Sequence, residues 1–119
     1  MRTAILTLMM TVCALLPGAQ TLTQPYVECA DSADRYIRNE NWVDAERVIV
    51  KALKLEPANK SNYLLWSNLG IVRDRMGDTD GALQAFDIGL ASAPRSTVLL
   101  ANRAYTLIET GRDSEALRD

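Results

Sequence analysis

Few residues in this chain have the side chains that enzymes use for chemistry. Its 119 residues include no histidine and two cysteines. The chain therefore lacks the commonest general base and every Ser/His or Cys/His nucleophile pair, and two cysteines cannot complete a four-ligand metal site. Two carboxylate pairs close in sequence remain for acid–base chemistry: Asp31 with Asp34, and Asp78 with Asp80. Nothing in the sequence places a pocket around either pair, so we predict a non-enzymatic chain without a metal or cofactor.

The charge balance argues against another class of function. Thirteen Lys and Arg stand against fifteen Asp and Glu, which gives a formal net charge of −2. Nucleic-acid binding needs clustered basic side chains to neutralise phosphates, so no nucleic-acid partner is expected. The hydrophobic fraction of 48% and the length of the chain are typical of one small globular domain.

The first nineteen residues have the layout of a secretory signal peptide. Met1 and Arg2 give a basic start, residues 4–16 are uncharged and mostly apolar, and Ala19 suits a cleavage site. A run of 13 residues is shorter than the roughly 20 that a spanning helix needs, so no stable membrane span is expected after cleavage. We therefore predict export to the periplasm or envelope of a Gram-negative bacterium, with residues 20–25 as a short lead into the fold.

Two alternatives to this interpretation stay open. Cys13 would be the attachment site of a lipoprotein, but Val12 stands where lipoprotein signals place a small residue. A location outside the cell or along a secretory pathway is the other alternative. If the signal peptide is removed, Cys29 is the one remaining thiol, so the exported chain is expected to have no internal disulfide.

Apolar residues recur at helical spacing between the prolines and glycines. Positions 45, 48, 49, 52 and 53 follow the pattern i, i+3, i+4, i+7, i+8, and three similar stripes follow. No stretch alternates with a period of two, so the sequence predicts an all-α fold. The predicted helix N-caps are Asn41, Asp78 and Ser96. The residues predicted to be left-handed just past a helix end are Gly77 and Gly111.

The sequence also contains an internal repeat. The motif A-x3-F-x7-P that begins at Ala82 matches the motif A-x3-I-x7-P that begins at Ala45. Ala116 follows Ala82 by 34 residues, whereas Ala82 follows Ala45 by 37 residues. The longer step indicates three inserted residues around positions 60–62.

On these residues the chain resembles the tetratricopeptide repeat family. That family repeats every 34 residues as two antiparallel helices with the pattern W-x2-L-G-x2-Y, then A-x3-F, then P. The middle unit of this chain contains W-x2-L-G from Trp66, A-x3-F from Ala82 and then Pro94, with Arg73 where the family prefers tyrosine. The resemblance implies an α-solenoid of antiparallel helix pairs over residues 26–119. Its units are complete repeats at about 26–59 and 63–96, and an incomplete third repeat at 97–119.

The resemblance further implies a packing role for each repeat position. Small residues let the two helices of a repeat cross closely, large residues fill the space between repeats, and prolines end the second helix. The structural repeat positions are Ala33, Tyr36, Ala45, Pro57, Trp66, Leu69, Gly70, Ala82, Phe86, Pro94, Ala104 and Ala116.

In this family the first helix of each pair lines the concave face. The resemblance places there apolar and charged side chains, which suit a partner peptide or helix held by apolar contacts and a few ion pairs. The candidate groove residues are Asp34, Ile37, Arg38, Leu64, Ser67, Ile71, Asp74, Arg75, Ala101, Tyr105, Ile108 and Glu109, with Val27, Ala30 and Val98 beside them. Asp34 stands where a subset of the family clamps C-terminal carboxylates, so an anion clamp is not expected. We predict an exported protein-interaction scaffold, with Tyr105 as the best single candidate for a partner-facing side chain.

The third unit stops a few residues into its second helix, without the polar cap that terminal repeats usually carry. One interpretation is an N-terminal fragment of a larger multi-domain repeat protein. The other is an end that a partner or a second copy completes. In that case an apolar face near Leu107, Ala116 and Leu117 would make the chain a self-associating component of an envelope complex.

Overall fold

The computed structural model describes residues 23–112. Its helices are α1 Gln24–Arg38, α2 Trp42–Leu55, α3 Asn62–Arg75, α4 Thr79–Ser92 and α5 Thr97–Glu109. No strand occurs among residues 23–112, so the predicted all-α class is confirmed. The predicted signal peptide, Ala116 and Leu117 lie outside the described residues.

Short turns fold the helices into an α-solenoid. Three residues separate α1 from α2, and three separate α3 from α4, so each second helix runs back along the first. α3 then packs against α2, and α5 packs against both α4 and α3. The predicted architecture of antiparallel helix pairs is confirmed.

The turn after each first helix uses a left-handed residue. Gly77 and Gly111 have φ angles of +83° and +76°, as predicted, because glycine has no Cβ to clash in this region. Glu40 occupies the same place after α1 with a φ of +57°. The next N–H, from Asn41, donates to the Tyr36 carbonyl at 2.8 Å and closes the turn. The first turn therefore has a side chain at a position that favours glycine.

Two of the three predicted N-caps form a side-chain hydrogen bond. The Asp78 carboxylate accepts a 2.9 Å hydrogen bond from the Gly81 N–H, and the Ser96 hydroxyl accepts one of 3.3 Å from the Leu99 N–H. Asn41 is the N-cap residue of α2, as predicted, but the predicted side-chain bond to the first N–H groups of the helix does not form.

Small residues lie at buried positions where the helices meet. Ala33, Ala45 and Ala82 are fully buried. A Cβ at Gly70 would overlap the ring of Phe86, so the absence of a side chain lets α3 and α4 approach closely. Ala104, at the matching place on α5, is half-buried.

The apolar core consists of two clusters. The first lies mainly among α1, α2 and α3 and includes Ile49 and Leu69, with Trp66 and Tyr36 packed against it. The second contains Phe86, Leu99 and Leu107. Leu107 is fully buried in that cluster, contrary to the prediction that it lies on an open apolar end face. Packing between α4 and α5 covers its side chain.

The inserted residues lengthen the turn between α2 and α3, which spans residues 56–61. The Asn62 amide NH2 donates to the Glu56 carbonyl at 2.7 Å, and its amide oxygen accepts from the Tyr26 hydroxyl at 2.8 Å. Pro57 and Pro94 each lie in a turn two residues past the second helix of a pair. The longer turn is thus fastened to α1 through a buried asparagine.

Arg73 connects α3 to the second helices on both sides. Its Nε lies 3.4 Å from the Glu46 carboxylate on α2, and its guanidinium donates to the Gly81 carbonyl on α4 at 3.2 Å. The position where the family prefers tyrosine is therefore filled by a side chain that bridges three helices.

Candidate partner-binding groove

α3 and α5 lie side by side and leave a cavity between them. The cavity has a volume of about 150 Å³ and is lined by Ile71, Asp74, Arg75, Phe86, Asn102, Tyr105 and Thr106. Four of these, Ile71, Asp74, Arg75 and Tyr105, are predicted groove residues. They come from two different repeats, so the structure brings together side chains that are about 30 positions apart in the sequence.

Large apolar side chains continue this surface along both helices. Tyr105 is 53% exposed and Ile108 is 59% exposed. Leu64 and Val98 are 47% and 50% exposed, and each lies seven residues before a cavity residue, Ile71 or Tyr105. That spacing puts each pair on one side of its helix. We call the cavity and these flanking side chains of α3 and α5 the groove.

One predicted groove residue is inaccessible. Ser67 is buried, and its hydroxyl accepts a 3.0 Å hydrogen bond from the Asn102 amide across α3 and α5. Ser67 therefore positions α5 against α3 and does not face a partner. Asn102 and Thr106 also line the cavity, but the repeat pattern did not predict them as groove residues. The signal that would have indicated Asn102 is a polar amide within an otherwise apolar helical stripe.

A polar cluster closes one end of the groove. The Tyr105 hydroxyl donates a 2.6 Å hydrogen bond to the Glu109 carboxylate, and this bond raises the pKa of Tyr105. Burial, followed by the facing Glu109 carboxylate, raises the pKa of Asp74, and the Arg75 guanidinium opposes that effect. Asp74 therefore ionises less readily than an exposed aspartate.

The groove residues predicted on α1 do not line the cavity. Asp34 and Arg38 are exposed, and Ile37 packs against the first core cluster. Arg38 donates to the Asp34 carbonyl within its own helix at 3.3 Å. Ala101 is exposed on α5. The cavity thus belongs to the second and third repeats.

Neither carboxylate pair considered for acid–base chemistry faces an enclosed pocket. Asp31 and Asp34 are exposed on α1. Asp78 caps α4, and the exposed Asp80 lies 3.7 Å from the Arg112 guanidinium. Within residues 23–112, no three side chains of the ligand-forming types come together as a metal site.

Solved structures share this architecture. A tetratricopeptide repeat protein from Parabacteroides merdae superposes with a TM-score of 0.76 at 31% sequence identity, over 81% of this chain and 38% of that protein. This chain has the fold of a tetratricopeptide repeat solenoid. A mutant of MamA gives a TM-score of 0.69 at 22% identity, over 81% of this chain and 68% of that chain. At 22% identity, the similarity to MamA shows a shared fold and nothing further.

One curated relative matches about half of the chain. Protein FlbA of Caulobacter vibrioides is 36% identical over 62 residues, which are 52% of this chain and 10% of FlbA. This chain therefore spans about a tenth of the length of that relative. No family model matches the chain. In the described range 23–112, no helix is long and apolar enough to cross a membrane.

Proposed function

We propose that this chain is a protein-interaction module that holds a peptide or helix of a partner protein in the groove. The observation that carries the proposal is the meeting of Ile71 and Tyr105 in one cavity, with Ile108 exposed beside it. Apolar side chains that are exposed together on one face are typical of surfaces that partners cover. The tetratricopeptide fold supports the same function, because repeat solenoids offer extended concave surfaces for binding.

The role that we propose is recognition without catalysis. The groove contains a hydrogen-bonded Tyr105–Glu109 pair and the Asp74 carboxyl, but no thiol or serine nucleophile among its cavity-lining residues. Such groups can orient a bound segment by charge and hydrogen bonding.

Capture experiments with matched variants test the groove. Tyr105→Asp places a charge in the groove without entering the core, because Tyr105 is more than half exposed. Val43→Asp makes the same kind of change on α2, where Val43 is 73% exposed and lies outside the groove. We expect wild type and Val43→Asp to capture the same stoichiometric protein from the envelope fraction, and Tyr105→Asp to lose it. Equal capture by both variants would contradict the proposal.

We also propose that the chain acts after export, in the periplasm or envelope of a Gram-negative bacterium. The layout of residues 1–19 supports this location. Cell fractionation with N-terminal sequencing tests it. We expect a mature chain that begins near residue 20 in the periplasmic fraction, whereas a cytosolic chain that begins at Met1 would contradict the proposal.

Self-association is a second candidate function. An open depression on α4 and α5 presents Leu83, Ile88 and Ala91 among charged side chains, and a second copy would cover it. Light scattering over a range of concentrations tests this candidate, and a monomer at all concentrations would contradict it.

A further inference from the structure

We propose that the groove selects partner segments in which a lysine or arginine stands beside an apolar side chain. The inference rests on the proposed function and names the chemistry of the partner. Asp74 lines the cavity, and Glu109 lies beside both Asp74 and Tyr105; we call these two acids the acidic pair. Ile71, Tyr105 and Ile108 form an apolar wall next to the pair. A basic side chain would meet the acidic pair while its neighbour covers the wall.

The two carboxyl groups of the pair come from different helices. Asp74 lies in the last turn of α3, and Glu109 is the last residue of α5. The Tyr105 hydroxyl holds the Glu109 carboxylate through the 2.6 Å hydrogen bond, so this acceptor is already oriented before a partner arrives. Asp74 is partly buried in the cavity wall. Fixed acceptors of this kind lose little conformational entropy when a cation binds.

The two carboxyl groups interact with each other, since both the charge of Glu109 and a side-chain hydrogen bond with Glu109 raise the pKa of Asp74. The carboxyl end of an α-helix carries a partial negative charge, which adds to that of the pair. α1 and α3 place arginines in their last turns, whereas α5 has no basic residue in its last turn. The Arg75 guanidinium opposes the raised pKa of Asp74. A partner's cation would act in the same direction as the Arg75 guanidinium and favour ionisation of both carboxyl groups.

The size and lining of the cavity fit one side chain of a partner. A volume of about 150 Å³ is comparable to cavities that accept a benzene-sized group. Ile71 and Phe86 give the cavity apolar surface, and the alkyl stem of a lysine or arginine packs against such surface while its charge meets a carboxylate. An acidic segment would instead meet like charges, so the same geometry disfavours it.

Selection from a peptide library tests the proposal directly. The probe is a phage-displayed library of random dodecapeptides, and the bait is the full chain. The test variant is Asp74→Asn with Glu109→Gln, and the matched control is Glu28→Gln with Asp31→Asn, which removes two exposed carboxylates from α1 outside the groove. We expect enriched peptides to carry Lys or Arg next to an apolar residue. Their affinity should fall roughly tenfold or more in the test variant and change little in the control.

The outcomes separate this inference from the proposed function. Peptides that lack basic residues, yet lose binding in Tyr105→Asp, would overturn the inference and leave the groove intact. Peptides that bind equally to wild type, to Tyr105→Asp and to the test variant would overturn both. Failure to enrich any peptide would likewise contradict recognition of short segments. Thermal unfolding of each variant establishes that it is folded.

Discussion

Gly70 on α3 lies so close to Phe86 on α4 that a Cβ at position 70 would overlap carbons of the Phe86 ring. Both residues are buried. The approach of these two helices therefore depends on a missing side chain. Because Phe86 also lines the groove, the same contact sets the depth of the cavity.

Replacing Gly70 by alanine is expected to destabilise the fold by about 1–3 kcal/mol. The overlap forces α3 and α4 apart, and this cost exceeds the gain in helix propensity of about 1 kcal/mol. Urea unfolding measures the change. Phe86→Leu in the Gly70→Ala background should show favourable coupling, because the smaller side chain relieves the overlap. A Gly70→Ala variant as stable as wild type would contradict this explanation.

Glu40 adopts the left-handed conformation that Gly77 and Gly111 adopt after their helices. Glu40→Gly should raise the free energy of unfolding by up to about 1 kcal/mol, because relief of the left-handed strain outweighs the added freedom of the unfolded chain. Gly77→Ala is the opposite change at the equivalent position after α3. It should lower the free energy of unfolding by about 1 kcal/mol. Chemical denaturation measures both changes. If the denaturation midpoints of Glu40→Gly and Gly77→Ala shifted in the same direction, the two positions would not be equivalent.

The hydrogen bond between Tyr26 and Asn62 holds the longer turn to α1. Tyr26→Phe leaves the buried Asn62 amide oxygen without its donor, and we expect a loss of about 1–3 kcal/mol in stability. Tyr63→Phe is the control, because the Tyr63 hydroxyl takes no part in this network. Equal losses in the two variants, measured by thermal unfolding, would be inconsistent with a specific role for the bond.

The raised pKa of Asp74 predicts a cost in stability at neutral pH. Burial and Glu109 raise this pKa above its usual value of 3.8, so the folded chain binds the proton more tightly than the unfolded chain. Stability therefore falls as pH rises from the unfolded pKa through the folded pKa. Asp74→Asn should unfold at a higher temperature than wild type near neutral pH, and this difference should shrink by about pH 3.

Glu56 supplies the matched contrast. Its pKa is lowered, first by the Thr23 backbone N–H and then by the Asn59 side chain. It contributes stability above its unfolded pKa, and this contribution is lost as pH falls through the folded pKa. Glu56→Gln should therefore be less stable than wild type near neutral pH, and the difference in stability should shrink in acid. If both Asp74→Asn and Glu56→Gln were more stable than wild type near neutral pH, or both less stable, the environments assigned to Asp74 and Glu56 would be contradicted.

The sequence predicts the helices and most of their ends because these depend on residues within one turn. Gly77 and Asp78 illustrate this, since a left-handed residue and a cap act on backbone groups at most five positions away. The failure at Asn41 shows the limit of the rule. A capping residue at the correct position does not determine which way its side chain turns.

The contacts that build the groove could not be read from spacing. The guanidinium of Arg73, for example, binds Glu46, 27 residues earlier, and the carbonyl of Gly81. The repeat pattern placed Asp74 and Glu109 on one face, but their pairing depends on the distance between α3 and α5. That distance follows from the packing of buried side chains such as Leu99 and Leu107.

Photo-crosslinking from inside the groove tests the central claim most directly. A photoreactive phenylalanine in place of Tyr105 would be compared with one in place of Val43, which is more exposed but lies on α2. Both chains would be expressed and irradiated in cells of the native organism, and adducts would be identified by mass spectrometry. The account predicts a discrete protein adduct from position 105 and none from position 43. No adduct from position 105, or the same adduct from both positions, would contradict it.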